Sequence, residues 1–301
     1  MINIIIPYYK LTFFKETLES LSKQTDKRFK VYIGDDASPE DPTKLIESYR
    51  GQFDFEYKKF ETNLGSISLV QHWERCINLA PNYDWIMILG DDDVLSENVI
   101  EEFYKNLNEI NNLAINVVKF STAVIDELNK PITKVFKSNK SEKSTDAFYN
   151  KISDISRSSL SEHIFRKSVY EEHKFQNYSL AWHSDDMAWL EFTNFKNIYC
   201  INSATMTIRV SNNSISGMES NINEKVEGSY QFYADLTCEY LDKFNWKQRN
   251  LIIRIFESKI FLVKGKSFEN YIKIAKLFLG NLFIFSYLKF TFRFLFKHKN
   301  I

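Results

Sequence analysis

The sequence predicts an α/β fold built on a mostly parallel sheet flanked by helices, with a helical, basic and aromatic extension at the C-terminus. Two observations carry the first part. Short apolar runs alternate with stretches of helical apolar spacing through about the first hundred residues, and parallel strands need such crossovers. Several of those runs end in polar clusters, which parallel strands would gather along one edge of the sheet. The second part rests on the change in character after Gly228, where tyrosines, phenylalanines and basic residues dominate.

The elements follow in order. The β-branched run Ile2–Ile6 is a first strand, ended by Pro7, and Phe14, Leu18 and Leu21 mark a helix over 13–24. Residues 29–34 form a second strand that closes on Asp35 and Asp36; 43–49 is a helix and 53–60 a third strand. After a turn at Asn63-Leu-Gly65-Ser66, Val70, Trp73, Ile77 and Ala80 share one face of a helix. The run Trp85–Leu89 reads as a buried strand ended by Gly90.

Asp91, Asp92 and Asp93 follow at once, and three adjacent carboxylates repel one another unless a cation sits among them. Mg²⁺ or Mn²⁺ suits such oxygen ligands and takes substrate phosphates as the remainder. The same residues also fit a solvated acidic turn capping the next helix. Pro7 and Tyr8, Asp36, Asn63 and Gly65, and Asp91–Asp93 would together line a pocket with a stacking ring, a carboxylate for a base edge and a place for phosphates. That is what a nucleotide-diphosphate ligand requires. No Gly-x-Gly-x-x-Gly and no Gly-x-x-x-x-Gly-Lys-Ser/Thr occurs, which argues against a dinucleotide oxidoreductase and excludes a P-loop NTPase. Lys+Arg and Asp+Glu balance at 39 each, so no global field draws the chain to nucleic acid. The three cysteines, Cys76, Cys200 and Cys238, are widely spaced, as expected of free, buried thiols in a reducing compartment. The N-terminus lacks signal-peptide character, which points to the cytoplasm.

Ile4-Ile-Ile-Pro-Tyr-Tyr9, the Leu-x-Ser-Leu-x-x-Gln-Thr pattern of 18–25, Asp35-Asp36-Ala-Ser38, Asn63-Leu-Gly65 and Leu89-Gly-Asp-Asp-Asp93 resemble, in order and spacing, the family-2 glycosyltransferases of the GT-A fold. The resemblance covers about residues 2–125. It implies a nucleotide-diphosphate-sugar donor (a UDP-sugar favoured), a divalent metal, Mn²⁺ or Mg²⁺, and transfer with inversion. Pro7 and Tyr8 would flank the base, Asp36 would bind its edge, and Asn63, Gly65 and Asp91 would complete the nucleotide site. Asp92, with Asp93, would hold the metal. The family's Asp-x-Asp-Asp has Gly90 in its first place here. Either Asp91 and Asp93 make up the loss, or the metal sits on one carboxylate plus water.

Residues 126–160 are polar and read as a loop over the site. Farther on, Asp185 and Asp186 lie between Trp182 and Trp189, where carboxylates are costly to bury without a role. An apolar wall raises a carboxyl pKa towards the range useful for a general base. The resemblance places the base of an inverting transfer on this pair, with Asp186 preferred, while Ser184 or Asp185 also suits an N-cap. His183 beside them could stack on an acceptor; His72, His163 and His173 read as ordinary surface or helix residues. Arg209-Val-Ser211 resembles the family's Arg-x-His loop, with Arg209 for phosphate or for a structural salt bridge, and serine in place of histidine.

Residues 251–301 carry ten Lys/Arg against Glu257 and Glu269. The apolar run 277–288 is too short to span a bilayer, which takes about twenty residues. Aromatics interleaved with Lys and Arg suit an anionic membrane surface, at the inner face of the cell membrane, and equally a helix docked on the protein's own core. The expected organisation is a glycosyltransferase domain at 1–225, with a nucleotide half to about 125 and an acceptor half beyond it, then a helical region at 226–301. The expected activity is sugar transfer to a glycan or lipid-linked glycan; a catalytically silent sugar-nucleotide-binding or scaffold protein is the alternative.

Overall fold

A computed structural model describes residues 1–81, 84–212 and 214–296. The chain divides into two compact units, one of residues 1–177 with 184–220, the other of 178–183 with 221–301.

The first unit is organised on a sheet of nine strands among the described residues: β1 (Ile2–Tyr8), β2 (Phe29–Asp35), β3 (Asp54–Lys59), β4 (Trp85–Ile88), β5 (Val94–Leu95), β6 (Val117–Ile125), β7 (Ser141–Lys143), β8 (His163–Arg166) and β9 (Asn197–Arg209). Their order is β3-β2-β1-β4-β8-β6-β9-β5, with β7 also on β9. β1 pairs in parallel with β2 and β4, β2 with β3, and β6 with β9; β8, β5 and β7 run against their neighbours. The helices α1 (Phe14–Ser22), α2 (Thr43–Glu47), α3 (Leu69–Ile77) and α4 (Val99–Asn112) supply the crossovers that parallel pairing demands. Their apolar faces, Phe14, Leu18 and Leu21 on α1 and Val99, Ile100 and Phe103 on α4, are buried with Ile2, Ile4, Ile6, Met87 and Val118 of the sheet. Burying both faces of the central strands explains why β1 and β4 read as continuous apolar runs.

The reversal of β8 matters most for the site. Ile164 lies opposite Met87 and Arg166 opposite Trp85, so the chain enters β8 beside the C-terminal end of β4. Residues 161–162 therefore arrive where β4 gives way to Gly90.

The stretch 126–160 is not all loop. β7 and α5 (Ser144–Ile152) lie within it, and Ala147 and Phe148 of α5 are buried. Its Ser/Lys-rich approach hid a short helix that packs on β7 and on α7 (Ser184–Phe192) and shows no strong local pattern. His72 and His163 are corrected too: both are buried, and burial holds each imidazole down to about 3, hence neutral. Cys76 and Cys200 are buried but Cys238 is exposed.

The second unit comprises α8 (Ile222–Glu239), α9 (Trp246–Lys264), α10 (Phe268–Gly280) and α11 (Ile284–Phe296), with the segment 178–183 packed on α8. Asn245 and Gln248 form a capping box at the start of α9, and Ser267 caps α10. Phe278, Phe283 and Phe290 are buried between the last helices, while Leu282, Phe285 and Phe292 are 78%, 83% and 61% exposed. The tail thus docks on its own unit and still presents an apolar face. Lys297 and Lys299 lie outside the described residues. Among the described residues, no helix is long and apolar enough to cross a membrane.

Candidate active site

The site is assembled at the C-terminal ends of β1, β2 and β4. The Asp36 amide donates to the Tyr8 carbonyl at 3.0 Å, and the Ser38 hydroxyl to the Tyr9 carbonyl at 2.6 Å, which joins the first two strand ends. The Asp36 carboxylate accepts from the amides of Leu64 and Gly65, both at 2.8 Å, and pairs with Arg75. A Cβ on Gly65 would stand 2.4 Å from an Asp36 oxygen, so only glycine fits there. Burial pushes the Asp36 carboxyl up, while the two amides and Arg75 pull it back. Asn63 accepts from the Ser66 amide and shapes the same turn. Asp36, Asn63 and Gly65 are thereby held together.

Tyr8 is placed differently from expectation. Its ring is fully buried against Phe14, 4.7 Å between centroids, and its hydroxyl donates to the Glu40 carbonyl. It supports the strand end from behind and offers no open face. Pro7 is half-buried and Tyr9, the next residue, is exposed.

The three consecutive aspartates separate by partner. Asp91 accepts from the amides of Tyr9 and Lys10 at 2.8 and 2.9 Å, tying the β4 end to the β1 end. Asp93 is buried and accepts from the Ser161 hydroxyl at 2.5 Å and the Arg209 amide at 3.0 Å. With one oxygen on each donor it is a structural acceptor, which corrects its expected place beside Asp92 as a metal ligand. Only the Asp92 carboxylate, of the three, shows no hydrogen bond to another residue among the described residues, although its backbone carbonyl accepts from Arg209. Burial, then Asp93 and Asp91, push its carboxyl up to about 8. It lines a small pocket with Lys10, Thr12, Phe13, Asp91 and Ser211. Gly90 leaves space for this spread, because a Cβ there would lie 2.9 Å from Asp93 and 3.1 Å from Asp92.

Ser161 is the hinge between this cluster and the second carboxylate pair. Its hydroxyl donates to Asp93 and accepts from the Gly90 amide at 3.0 Å, and Glu162 follows it directly. Burial would raise Glu162, yet Arg157, His163, Lys119 and Ser159 hold it at about 2. The Glu162 charge is also felt at Lys151 of α5 and at Asp185 of α7. Asp186 is buried and takes both its oxygens to the Lys151 ammonium of α5, at 2.6 and 2.8 Å. Asp185 is half-buried, and burial, then Asp186, push its carboxyl up to about 7.

Of the two readings of Arg209, the structure favours the salt bridge over the phosphate ligand: the residue is an internal brace. Its side chain is fully buried, bonded to the Asp92 and Asp126 carbonyls, Asn129 and Glu16, and stacked 4.2 Å from the Phe13 ring. It holds the Asp92 turn in place. Ser211, two residues on, lines the Asp92 pocket. His183 lies in the other unit, stacked on Phe232 at 4.7 Å with Nε2 3.2 Å from the Ser229 hydroxyl.

The sequence alone did not single out Lys151, Ser161, Arg75 or Lys10. Each matters through a partner far along the chain, and none stands in a local pattern that marks it.

As to a metal, no group of three or more His, Cys, Asp or Glu able to hold one occurs among the described residues. What fits is a cation taking Asp92 and drawing its other ligands from phosphate and water, as Mg²⁺ commonly does. The raised Asp92 carboxyl, pressed by two like charges, is the observation that favours it.

Comparison with known proteins agrees with this architecture. The family described as Glycosyl transferase family 2 matches residues 3–173. Among solved structures, S. aureus TarS 1-349 in complex with UDP-GlcNAc superposes with a TM-score of 0.65 at 14% identity, over 93% of this chain and 80% of that one. The TarS 1-349 complex with UDP gives 0.58 at 13%, over 100% and 94%. Those similarities concern the fold. No curated protein matches by sequence. With more than half its length matched by the family model and its overall fold shared with TarS, the chain belongs to glycosyl transferase family 2 and is a glycosyltransferase of the GT-A fold.

Proposed function

We propose that this protein transfers a sugar from a nucleotide-diphosphate donor, a UDP-sugar, to a hydroxyl of a glycan or lipid-linked glycan, with inversion at the anomeric carbon. The observation that carries the proposal is the hydrogen-bonded tie of the Asp36, Asp91 and Asp93 strand ends to one another and to Ser161, with Glu162 next in the chain acting electrostatically on Asp185. It puts a nucleotide-edge carboxylate, an open carboxylate for the diphosphate end and a buried carboxylate pair along one side of the sheet. TarS, with the same fold, forms crystalline complexes with UDP-GlcNAc and with UDP, which supports the donor class.

In the proposed reaction, Pro7, Asp36, Asn63 and Gly65 bind the nucleoside and Asp92 faces the diphosphate. A divalent cation held by Asp92 would neutralise charge on the departing diphosphate. Asp185 takes the proton from the acceptor hydroxyl as that oxygen attacks the anomeric carbon from the face opposite the diphosphate. Asp186, expected to be the base, is committed to Lys151 at both oxygens, so the role passes to its neighbour. A silent sugar-nucleotide-binding protein is the second reading, favoured by Ser211 in place of the family's histidine.

One experiment separates them. Purified protein is screened by thermal shift against uridine and guanosine sugars with Mn²⁺, and the best donor is then tested for release of nucleoside diphosphate with a glycan acceptor present. Stabilisation with release supports transfer; stabilisation with no release under any acceptor supports the silent reading.

The C-terminal unit is proposed to lie on an anionic membrane surface. Leu279, Leu282, Ile284, Phe285, Leu288 and Phe292 are exposed, with Lys276 and Lys289 among them. Replacing Phe285 and Leu288 by serine should abolish co-flotation with phosphatidylglycerol vesicles; unchanged flotation would refute the contact.

A further inference from the structure

We propose that Lys151 is a positioning residue that divides the Asp185–Asp186 pair, holding Asp186 as a fixed anion so that Asp185 alone exchanges the acceptor's proton. This rests on the proposed base.

Adjacent buried carboxylates disfavour double ionisation, and such a pair tends to share one proton between its members. A shared proton would leave neither carboxylate reliably basic. Here the symmetry is broken from outside the helix. Lys151, on α5, meets both oxygens of Asp186 and none of Asp185. Its side chain is 24% exposed and that of Asp186 3%, so the pair is shielded from solvent screening. The charges that act on Asp185 are Asp186 on its own helix, Lys151 from α5 and Glu162 from the segment before β8. Glu162 is in turn bonded to Ser159 and paired with Arg157, and His163, beside it, is neutral. Lys151 therefore acts directly on both aspartates, bonded to Asp186 and lowering Asp185 through its charge. With it, two aspartates and one ammonium carry a net single negative charge, and Asp185 can ionise near neutral pH. Without it, Asp186 and Glu162 both oppose that ionisation.

The test is a charge series in the full chain: Lys151→Met, Lys151→Arg, Asp186→Asn and the double variant Lys151→Met/Asp186→Asn. Two readouts are taken. One is the titration of the Asp185 carboxyl carbon by ¹³C NMR, assigned by loss of the signal in Asp185→Asn. The other is the acid limb of turnover against pH. Removing the cation should raise the Asp185 midpoint by about one to three pH units, the range for a neighbouring opposite charge. The acid limb should move up with it. Asp186→Asn should move both the other way, the double variant should fall between the single ones, and Lys151→Arg should stay close to the parent. A merely structural role would lower turnover without reversing direction between Lys151→Met and Asp186→Asn. Loss of one partner of a buried pair is strongly destabilising; should Lys151→Met not fold, the double variant against Asp186→Asn gives the same comparison. An Asp185 midpoint unmoved by loss of Lys151 overturns the inference. If the midpoint moves as described and the turnover limb does not follow, the charge effect stands and Asp185 is not the base.

Discussion

The two carboxylate clusters face the same electrostatic problem and solve it with different materials. Asp91–Asp93 are separated mainly by neutral donors: backbone amides of Tyr9, Lys10 and Arg209 and the Ser161 hydroxyl. Asp185 and Asp186 are separated by a full positive charge from Lys151. In both places one carboxylate is tied down so that its neighbour stays open. The neutral solution leaves Asp92 short of counter-charge, with burial and its two neighbours pushing its carboxyl up to about 8. The charged solution leaves Asp185 near 7, poised to exchange a proton at physiological pH. Consecutive aspartates in a sequence look equivalent; on the proposed reading their partners make one a binder and another a base.

The contrast can be broken at either end. The largest expected effect is on turnover: Asp185→Asn should lower it about 10²- to 10⁴-fold, the usual contribution of a general base, with donor binding retained. Full activity in that variant would end the assignment. Next, Asp92→Ala should remove the part of UDP stabilisation that requires Mn²⁺, read by thermal shift, while metal-free UDP stabilisation persists. A wild-type response to metal would show the site to be elsewhere.

A third test uses pH. Asp92 titrates at about 8 in the folded chain, against about 3.9 when unfolded. The folded state therefore holds this proton more tightly, and without a cation its contribution to stability falls as pH rises from about 4 to about 8. Mn²⁺ with UDP must displace that proton at low pH and meets a free carboxylate at high pH. The gain in melting temperature should be larger at pH 8.5 than at pH 6, and equal gains would contradict the assignment. The smallest effect is expected at the joint between the clusters. Ser161→Ala leaves the buried Asp93 short of a donor and should cost about 1–3 kcal/mol in chemical denaturation.

Much of the fold was legible in the sequence because it is local. The strand runs at 2–6, 29–34 and 85–89, and the helical faces of 13–24 and 70–80, follow from residue spacing, and they appear as β1, β2, β4, α1 and α3. The strand-end residues Asp36, Gly65 and Asp91 lie in connected loops because parallel strands deliver their C-terminal ends to one edge. Tyr8 was harder to read, since a terminal tyrosine can turn towards a ligand or into the core with no change in sequence. α5 was hidden because its apolar residues, Ala147 and Phe148, form too small a stripe to show a period.

By itself, then, the sequence determined the alternation of elements, the family motifs and the presence of carboxylates at two points. Only the tertiary structure decided which carboxylate is open at each. That choice belongs to Lys151, Ser161 and Arg209, which reach Asp186, Asp93 and the Asp92 turn across separations of 35, 68 and 117 residues. The reversal of β8 brings Ser161 to the end of β4, and the burial of α5 brings Lys151 to α7. Hydrogen bonds and ion pairs act over a few ångströms in space, whatever the distance along the chain, so no local pattern could announce them.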